Sequence, residues 1–266
     1  MNAISTSDRA PVVELRNLVK EYRQGPLSRQ VLRALDGVTL TVRRGEVFGF
    51  LGPNGAGKTT ALKIILGFLH PTAGDVRLLG TTGALPAARR QIGYLPETAT
   101  YPEYCTPEEL VSFYGRLSGL GGNRLRTRTS AVLELVGLAA DARRPLRQFS
   151  KGMQQRVGLA QALVHEPECL ILDEPASGLD PLGRRDMREF INRLRQQGLT
   201  IFFSSHELSE VEAICDTVAI LHRGRVCAVG ALETLLAPYQ GYRTRAEALE
   251  AFFVNTIHDH EHPDNH

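Results

Sequence analysis

The sequence has few of the features that disulfide-rich, membrane-spanning or nucleic-acid-binding proteins need. Its four cysteines include no C-x-x-C pair, which disfavours a disulfide framework or a cysteine-ligated zinc site. Charged residues interrupt every apolar stretch well before the ~18 residues needed to cross a bilayer. The 31 basic and 29 acidic residues nearly cancel, so no basic excess points to a nucleic acid. Met1–Val13 contains no apolar run behind basic residues, and we therefore expect a cytoplasmic chain without a secretory signal.

The hydrophobic pattern predicts an α/β fold with a mostly parallel sheet. In the second half, short apolar strands alternate with helices. The predicted strands are Cys169–Asp173, Thr200–Ser204, Thr217–Leu221 and Arg225–Val229, and the helices between them are Pro181–Gln197 and Glu207–Cys215. Before this alternation, residues 98–166 are expected to form an inserted helical block, with helices over Pro107–Ser118, Arg124–Val136 and Lys151–Val164.

Three strands are predicted near the beginning of the chain. Val12–Arg16 and Val38–Val42 alternate apolar and polar residues, as half-buried strands do. Val47–Leu51 does not alternate, which predicts a strand buried on both of its faces.

The end of the chain is expected to carry a helical extension and a tail. The extension covers residues 238–257, with its helix over Arg245–Ile257, and residues 258–266 are predicted to be a disordered polar tail. Four histidines lie in this tail, and such tracts can bind divalent metal. Because their spacing fixes no coordination geometry, a solvated end is the favoured interpretation. They are His258, His260, His262 and His266.

A glycine-rich segment after the Val47–Leu51 strand fits G-x-x-x-x-G-K-[ST], the phosphate-loop pattern of nucleoside triphosphatases. Its glycines let successive backbone N–H groups point at phosphate oxygens, and the helix that follows directs its positive end there. Lys58 is placed to reach the β- and γ-phosphates, and the Thr59 hydroxyl to hold Mg²⁺. The predicted ATP-binding residues here are Gly52, Pro53, Asn54, Gly55, Ala56, Gly57, Lys58, Thr59 and Thr60.

A second apolar strand, Leu170–Leu172, ends in two adjacent carboxylates. In an open α/β sheet, ligands bind at the carboxyl ends of the strands, beside the phosphate loop. Asp173 is therefore predicted to hold Mg²⁺, and Glu174 to polarise the attacking water. Two acids at the end of a buried strand are costly unless they meet a cation, which favours this functional interpretation.

Two other segments are ambiguous on physical grounds alone. Ser150 and Gly152 begin a helix that could accept an anion, although a simple helix cap is the plainer interpretation. His206 follows an apolar strand, where a histidine is as often a satisfied polar residue as a functional one.

Taken together, residues from about 12 to 230 resemble the nucleotide-binding subunit of an ABC transporter. Six motifs occur in the order of that family: Tyr22 as the adenine-stacking ring, Gly52–Thr60 as Walker A, Phe149–Met153 as the LSGGQ-like signature, Leu170–Glu174 as Walker B, Ser177–Asp180 as the D-loop and His206 as the switch histidine. The resemblance implies a P-loop NTPase core with an N-terminal antiparallel β subdomain and an inserted helical subdomain. The ATPase domain would span residues 12–237.

The resemblance also implies how such a chain works. Two chains would form a head-to-tail dimer, in which ATP bound to Walker A of one chain is covered by Ser150, Gly152 and Asp180 of the other. A homodimer would contain two complete sites, and the alternative is a dimer with a different ATPase chain. Glu174 would activate water, while His206 and Lys58 stabilise charge on the transferring phosphoryl group. The implied partners are ATP, Mg²⁺ and a separate polytopic membrane permease, and the subunit would lie on the inner face of the cell membrane.

Three departures from the family pattern bear on these expectations. Glu97 replaces a frequent glutamine, and its carboxylate is expected to contact Mg²⁺ or its water. Lys151 and Met153 replace the Gly and Gln of the signature, a form that resembles ABC-2-type exporters and favours export. Gln24–Gln30 resembles an insertion beside Tyr22, whose alternative role is packing. The alternative function is a soluble ABC-type ATPase of an assembly or repair complex.

Overall fold

The computed structural model describes residues 10–23, 31–82 and 86–262, which form two β-sheets with helices packed around them. The strands are β1 (Pro11–Arg23), β2 (Val31–Arg43), β3 (Val47–Leu51), β4 (Ala73–Leu78), β5 (Thr81–Thr82), β6 (Ile92–Leu95), β7 (Cys169–Asp173), β8 (Thr200–Ser205), β9 (Thr217–His222) and β10 (Arg225–Ala231). The α-helices are α1 (Lys58–Ile65), α2 (Pro86–Arg89), α3 (Pro107–Leu117), α4 (Gly122–Leu135), α5 (Lys151–Leu163), α6 (Pro181–Gln196), α7 (Leu208–Ile214), α8 (Leu232–Leu236) and α9 (Arg245–Glu261).

The larger sheet has six strands in the order β10-β9-β3-β8-β7-β6. The five strands from β9 to β6 pair in parallel, and β10 joins the edge antiparallel to β9. The predicted mostly parallel sheet is therefore confirmed. Because parallel strands end at one edge, the segments that follow β3, β7 and β8 meet there.

The smaller sheet is antiparallel, in the order β2-β1-β4-β5, and confirms the N-terminal antiparallel β subdomain. Strands β1 and β2 are longer than the strands Val12–Arg16 and Val38–Val42 that the alternation of apolar and polar residues predicted. Register shifts between Leu15 and Glu21 interrupt the two-residue period, so the sequence pattern fades before the strand ends. The Gln24–Gln30 segment lies outside the described residues.

Strand β3 is buried on both faces, as its sequence predicted. Phe48 and Phe50 point into a core shared with the antiparallel sheet and α1, and both rings lie 5.5 Å from the ring of Phe202 on β8. Val47 and Leu51 contribute to the other core, which the helical block covers. The strand accordingly carries no polar side chain at any position.

The predicted helical block is present between β6 and β7 as α3, α4 and α5. Helix α3 begins with a capping box, in which the Thr106 side chain accepts a hydrogen bond from the Glu109 backbone and the Glu109 side chain accepts one from the Thr106 backbone. Helix α5 begins at Lys151, after the Ser150 cap. This arrangement places the signature segment at the N-terminal end of a thirteen-residue helix.

Two helix ends differ from the predictions. The helical periodicity of Thr59–Leu69 predicts a helix that ends at Leu69. Helix α1 ends at Ile65 because Gly67 adopts a left-handed φ of 73° and the Phe68 N–H turns back to the Lys63 carbonyl. Helix α9 continues to Glu261, so the prediction of a disordered tail is wrong for residues 258–261. An ion pair between Glu261 and Arg223, with a 2.8 Å separation, holds that end against the β9–β10 hairpin.

No helix among the described residues is long and apolar enough to cross a membrane.

Candidate functional site

The phosphate loop connects β3 to α1 and passes very close to neighbouring backbone. A Cβ atom on Gly52 would lie 2.3 Å from the Leu221 carbonyl oxygen. Gly57 has a φ of 110°, and a Cβ there would lie 2.5 Å from the Ala34 carbonyl oxygen. Only glycine fits either position, and the result is a tightly curled loop whose residues 53–55 are exposed.

Lys58 is the first residue of α1 and is only 6% exposed. Its Nζ donates a hydrogen bond of 2.6 Å to the Gly52 carbonyl and lies 3.4 Å from Oε1 of Glu174. The lysine therefore holds the curled loop and connects it to the end of β7. Thr59 is exposed beside it, and Thr60 is half-buried.

The two carboxylates at the end of β7 point to different partners. Asp173 accepts a 2.6 Å hydrogen bond from the Ser204 hydroxyl at the end of β8. Glu174 has a left-handed φ of 49°, and its Oε2 lies 2.8 Å from Nδ1 of His206. A positive φ is rare for a non-glycine residue, and at Glu174 it turns the chain sharply. The turn directs the Glu174 side chain toward the phosphate loop.

Burial raises the pKa of Asp173, because a buried carboxylate has lost hydration that stabilises its charge. The hydrogen bond from Ser204 opposes this rise, the charges of Glu174 and Glu97 add to it, and Lys58 lowers it again. The site therefore holds more negative charge than one lysine neutralises, a condition that favours binding of a cation.

The structure brings together the three residues predicted to be catalytic, Lys58, Glu174 and His206, at the carboxyl edge of the parallel sheet. Exposed Glu97 follows β6 and acts on Asp173 through its charge. Tyr22 lies farther along the antiparallel sheet, half-buried at the end of β1, with the Lys20 ammonium 5.3 Å from its ring centroid. The functional roles of all these side chains stay predictions.

The residues predicted to act on a second chain lie on another surface. Ser150, Gly152 and Asp180 line a cavity of about 710 Å³ between α4, α5 and α6, and its described walls include no residue of the phosphate loop. Within this chain, Ser150 accepts a hydrogen bond from the Met153 N–H, and Asp180 accepts one from the Gly183 N–H. Both side chains therefore act as helix caps here, and contact with ATP in trans stays a prediction.

Sequence reasoning missed two polar side chains that support the site. Ser204 pairs in register with Asp173 and contacts both carboxylate residues, since its hydroxyl also accepts from the Glu174 N–H. Buried Gln155 of α5 donates to the Pro175 carbonyl and thereby connects the signature helix to the segment after β7. A hydroxyl at the end of an apolar strand was the available signal for Ser204, whereas Gln155 has no local signal.

Comparison with known sequences agrees with this geometry. Residues 35–177 match the ABC transporter family. The ABC transporter ATP-binding protein sll0415 of Synechocystis sp. is 44% identical over 254 residues, which cover 93% of this chain and 72% of that protein. The bacitracin transport ATP-binding protein BcrA of Enterococcus faecalis is 39% identical over 218 residues, covering 81% of this chain and 68% of BcrA.

Solved structures agree as well. An ATP-binding subunit of an ABC transporter superposes with a TM-score of 0.78 and 32% identity, covering 92% of this chain and 99% of its own. The dimeric ATP-binding cassette MJ0796, bound to ADP and phosphate, superposes with a TM-score of 0.74 and 26% identity over 83% of this chain and 98% of its own. The chain therefore belongs to the ABC transporter family, as one of its ATP-hydrolysing, ATP-binding subunits.

Proposed function

We propose that two copies of this chain close head to tail around two ATP molecules and that hydrolysis drives export through a separate membrane permease. The observation that carries the proposal is the contact of Glu174 with both Lys58 and His206, at 3.4 and 2.8 Å. At one edge of the sheet this cluster contains a cation that can bind phosphate, a carboxylate that can accept a proton from water, and an imidazole.

In the proposed reaction, Lys58 turns its ammonium group from the Gly52 carbonyl toward the β- and γ-phosphates. A Glu174 carboxylate oxygen accepts the proton of a water molecule whose oxygen forms the new bond to the γ-phosphorus. The bond from that phosphorus to the bridging oxygen breaks, and ADP leaves. His206 holds the Glu174 carboxylate and donates toward the γ-phosphate, while Tyr22 stacks on the adenine ring.

The residues near the phosphate loop also fit Mg²⁺. This ion prefers hard oxygen ligands, and Thr59, Asp173 and Glu97 offer a hydroxyl and two carboxylates. When bound, Mg²⁺ neutralises charge on the β- and γ-phosphate oxygens. Asp173 is held in place for this role by the Ser204 hydroxyl.

A second chain is needed in the proposal because Ser150, Gly152 and Asp180 line a cavity separate from the phosphate loop. The N-terminal end of α5 carries a partial positive charge, and the first N–H groups of a helix lack intrahelical acceptors, which suits an anionic triphosphate supplied by the partner. The cassette MJ0796, which superposes on this chain, is dimeric with ADP and phosphate bound, and this supports the presence of a second chain.

Substitution Gly152→Asp tests this composite site. The nearest atom to an added Cβ is Leu179 Cδ2 at 3.8 Å, so a Cβ atom fits, and a carboxylate in the first turn of a helix is favourable. We expect the variant to fold and to bind ATP on its own phosphate loop. Hydrolysis should be lost, because the carboxylate would repel the triphosphate of the partner chain. ATP-binding titration and a phosphate-release assay measure these two effects.

Mixing Gly152→Asp chains with Lys58→Ala chains sharpens the test. Each mixed dimer would contain one intact composite site, so activity should return to about a quarter of the wild-type value if sites act independently. Gly152→Ala, which adds volume without charge, is the matched control and should retain most activity. Absence of recovery in mixtures that do form dimers contradicts the composite site.

Partnership with a permease predicts membrane association. We expect the Glu174→Gln chain, with ATP, to copurify from detergent-solubilised membranes of its native host with a polytopic protein in near-equal amount. Inverted vesicles containing both should then accumulate the transported compound when ATP is supplied, as export requires. Recovery with cytoplasmic partners only would support an ABC-type ATPase of an assembly or repair complex and contradict the transport proposal.

A further inference from the structure

A cluster of nitrogen and sulfur donors lies where the end of α9 packs against the β9–β10 hairpin. His222 ends β9, Cys227 lies in the middle of β10, and His260 lies in the last turn of α9. One donor atom from each residue lies within 4.8 Å of the other two, and the two imidazole centroids are 5.8 Å apart. Only the tertiary structure makes this group, since three separate elements contribute to it.

His222 gives an independent indication that the cluster binds a ligand. The residue is 8% exposed, and its Nδ1 atom is buried without a hydrogen-bond partner among the described residues. Burying an unsatisfied imidazole nitrogen costs stability, so such atoms in native proteins usually have a partner such as a bound ion or water. A cation that His222 binds through Nδ1, together with Cys227 and His260, would give this nitrogen a partner.

The donor set is selective for one class of metal ion. Two imidazoles and one thiolate match Zn²⁺ and chemically similar transition metals, whereas Mg²⁺ and Ca²⁺ prefer oxygen ligands. The Glu261 carboxylate is adjacent, with Oε1 3.7 Å from Nε2 of His222 and 2.8 Å from Nη2 of Arg223. Glu261 or a water molecule can supply the fourth ligand of a tetrahedral site.

We propose that His222, Cys227 and His260 bind a divalent transition-metal cation of the Zn²⁺ class, which fastens α9 to the β9–β10 hairpin. The cation displaces the proton of the Cys227 thiol, which leaves to solvent. The hairpin turn also contacts the phosphate loop, because the Gly224 N–H donates to the Ala56 carbonyl at 2.9 Å. Metal binding at this position therefore makes the β9–β10 hairpin, which supports the phosphate loop, more rigid. The metal itself does not contact ATP.

Cobalt titration of the metal-free 266-residue chain tests the proposal without any assay of hydrolysis. We expect a near-ultraviolet thiolate-to-Co²⁺ charge-transfer band and visible bands of tetrahedral Co²⁺, both removed by Zn²⁺. Cys227→Ser should abolish the charge-transfer band. His260→Ala should weaken binding by more than the roughly 10–100-fold that loss of an outer partner costs.

Matched controls separate this site from the two exposed histidines at the C-terminal end of α9. His258 and His262 lie one turn apart with their rings 4.9 Å from each other, so they could hold a cation without Cys227. Cys105→Ser and His258→Ala should leave the cobalt spectrum and affinity unchanged. An octahedral Co²⁺ spectrum that lacks the charge-transfer band and disappears with His258→Ala would overturn the proposal.

The wild-type protein provides a second measurement, which stays decisive if a variant fails to fold. Cys227 and Cys105 are both half-buried thiols. We expect Zn²⁺ to slow alkylation of Cys227 at least about tenfold and to leave the alkylation of Cys105 unchanged. Equal alkylation rates of Cys227 with and without Zn²⁺ contradict metal binding there, whatever the protein does with ATP.

Discussion

Glu174→Gln is expected to bind ATP while hydrolysing it about 10²–10⁴-fold more slowly than the wild-type chain, since that is the usual contribution of a general base. The substitution keeps the shape of the side chain, but it removes the charge paired with Lys58 and replaces one of the two oxygens that face Lys58 and His206 with an NH₂ donor. It removes the group that accepts the proton of the attacking water. ATP affinity should be retained or increased, because one negative charge near the triphosphate is lost. Single-turnover phosphate release and ATP titration measure the two effects separately.

A stalled dimer should accompany this loss of turnover. If hydrolysis reopens the dimer, Glu174→Gln should accumulate as an ATP-bound dimer by size-exclusion chromatography. Glu210→Gln is a matched control, because Glu210 is also a buried glutamate, lies on α7 and pairs with Arg188 away from the phosphate loop. The control should stay near wild-type activity. Rapid hydrolysis by Glu174→Gln would show that another group activates the water.

Lys58→Ala should weaken both ATP binding and catalysis. Loss of a hydrogen bond to a charged group costs about 1.5–3 kcal/mol, which corresponds to about 10–150-fold in affinity for ATP. Loss of a group that stabilises the transition state lowers kcat by a further ~10²–10³-fold. ATP titration and steady-state hydrolysis at saturating ATP distinguish these contributions.

Removal of Lys58 also affects the protein without nucleotide, because Glu174 loses its buried cation and retains the His206 contact. Lys58→Met keeps the apolar stem of the side chain, so its stability shows how much of any loss of stability in Lys58→Ala reflects packing. Lys63→Ala is the matched control, since Lys63 is an exposed lysine on the same helix. Equal effects of Lys58→Ala and Lys63→Ala on ATP affinity would refute the proposed role of Lys58.

The strands and helices of the core could be predicted because their signals are local. The apolar segments Val47–Leu51 and Cys169–Asp173 form strands with these boundaries in the structure. Prediction was poorer where geometry interrupts periodicity, as at the shifts in β1 and at Gly67 after α1. Helix α9 exceeded its predicted length because an ion pair from another element stabilises its polar end, and sequence periodicity does not record such a contact.

The candidate site could be predicted in part for a similar reason. Lys58 and Glu174 belong to motifs whose position is set by the ends of parallel strands, so their proximity follows from the topology. The role of Ser204 was not predicted, because it depends on the register between β7 and β8, which places Ser204 opposite Asp173. Gln155 donates a hydrogen bond to a backbone carbonyl, and no residue pattern predicts that type of contact.

The sequence by itself determined the α/β class, the phosphate loop, the paired carboxylates and the family. These features depend on residue type, spacing and order along one stretch of chain. Tertiary structure alone decided which partners Glu174 contacts, that Ser150 and Asp180 lie apart from the phosphate loop, and that His260 meets Cys227 and His222. The physical reason is that packing of distant elements sets these distances, and the same residues in another arrangement would carry the same sequence signals.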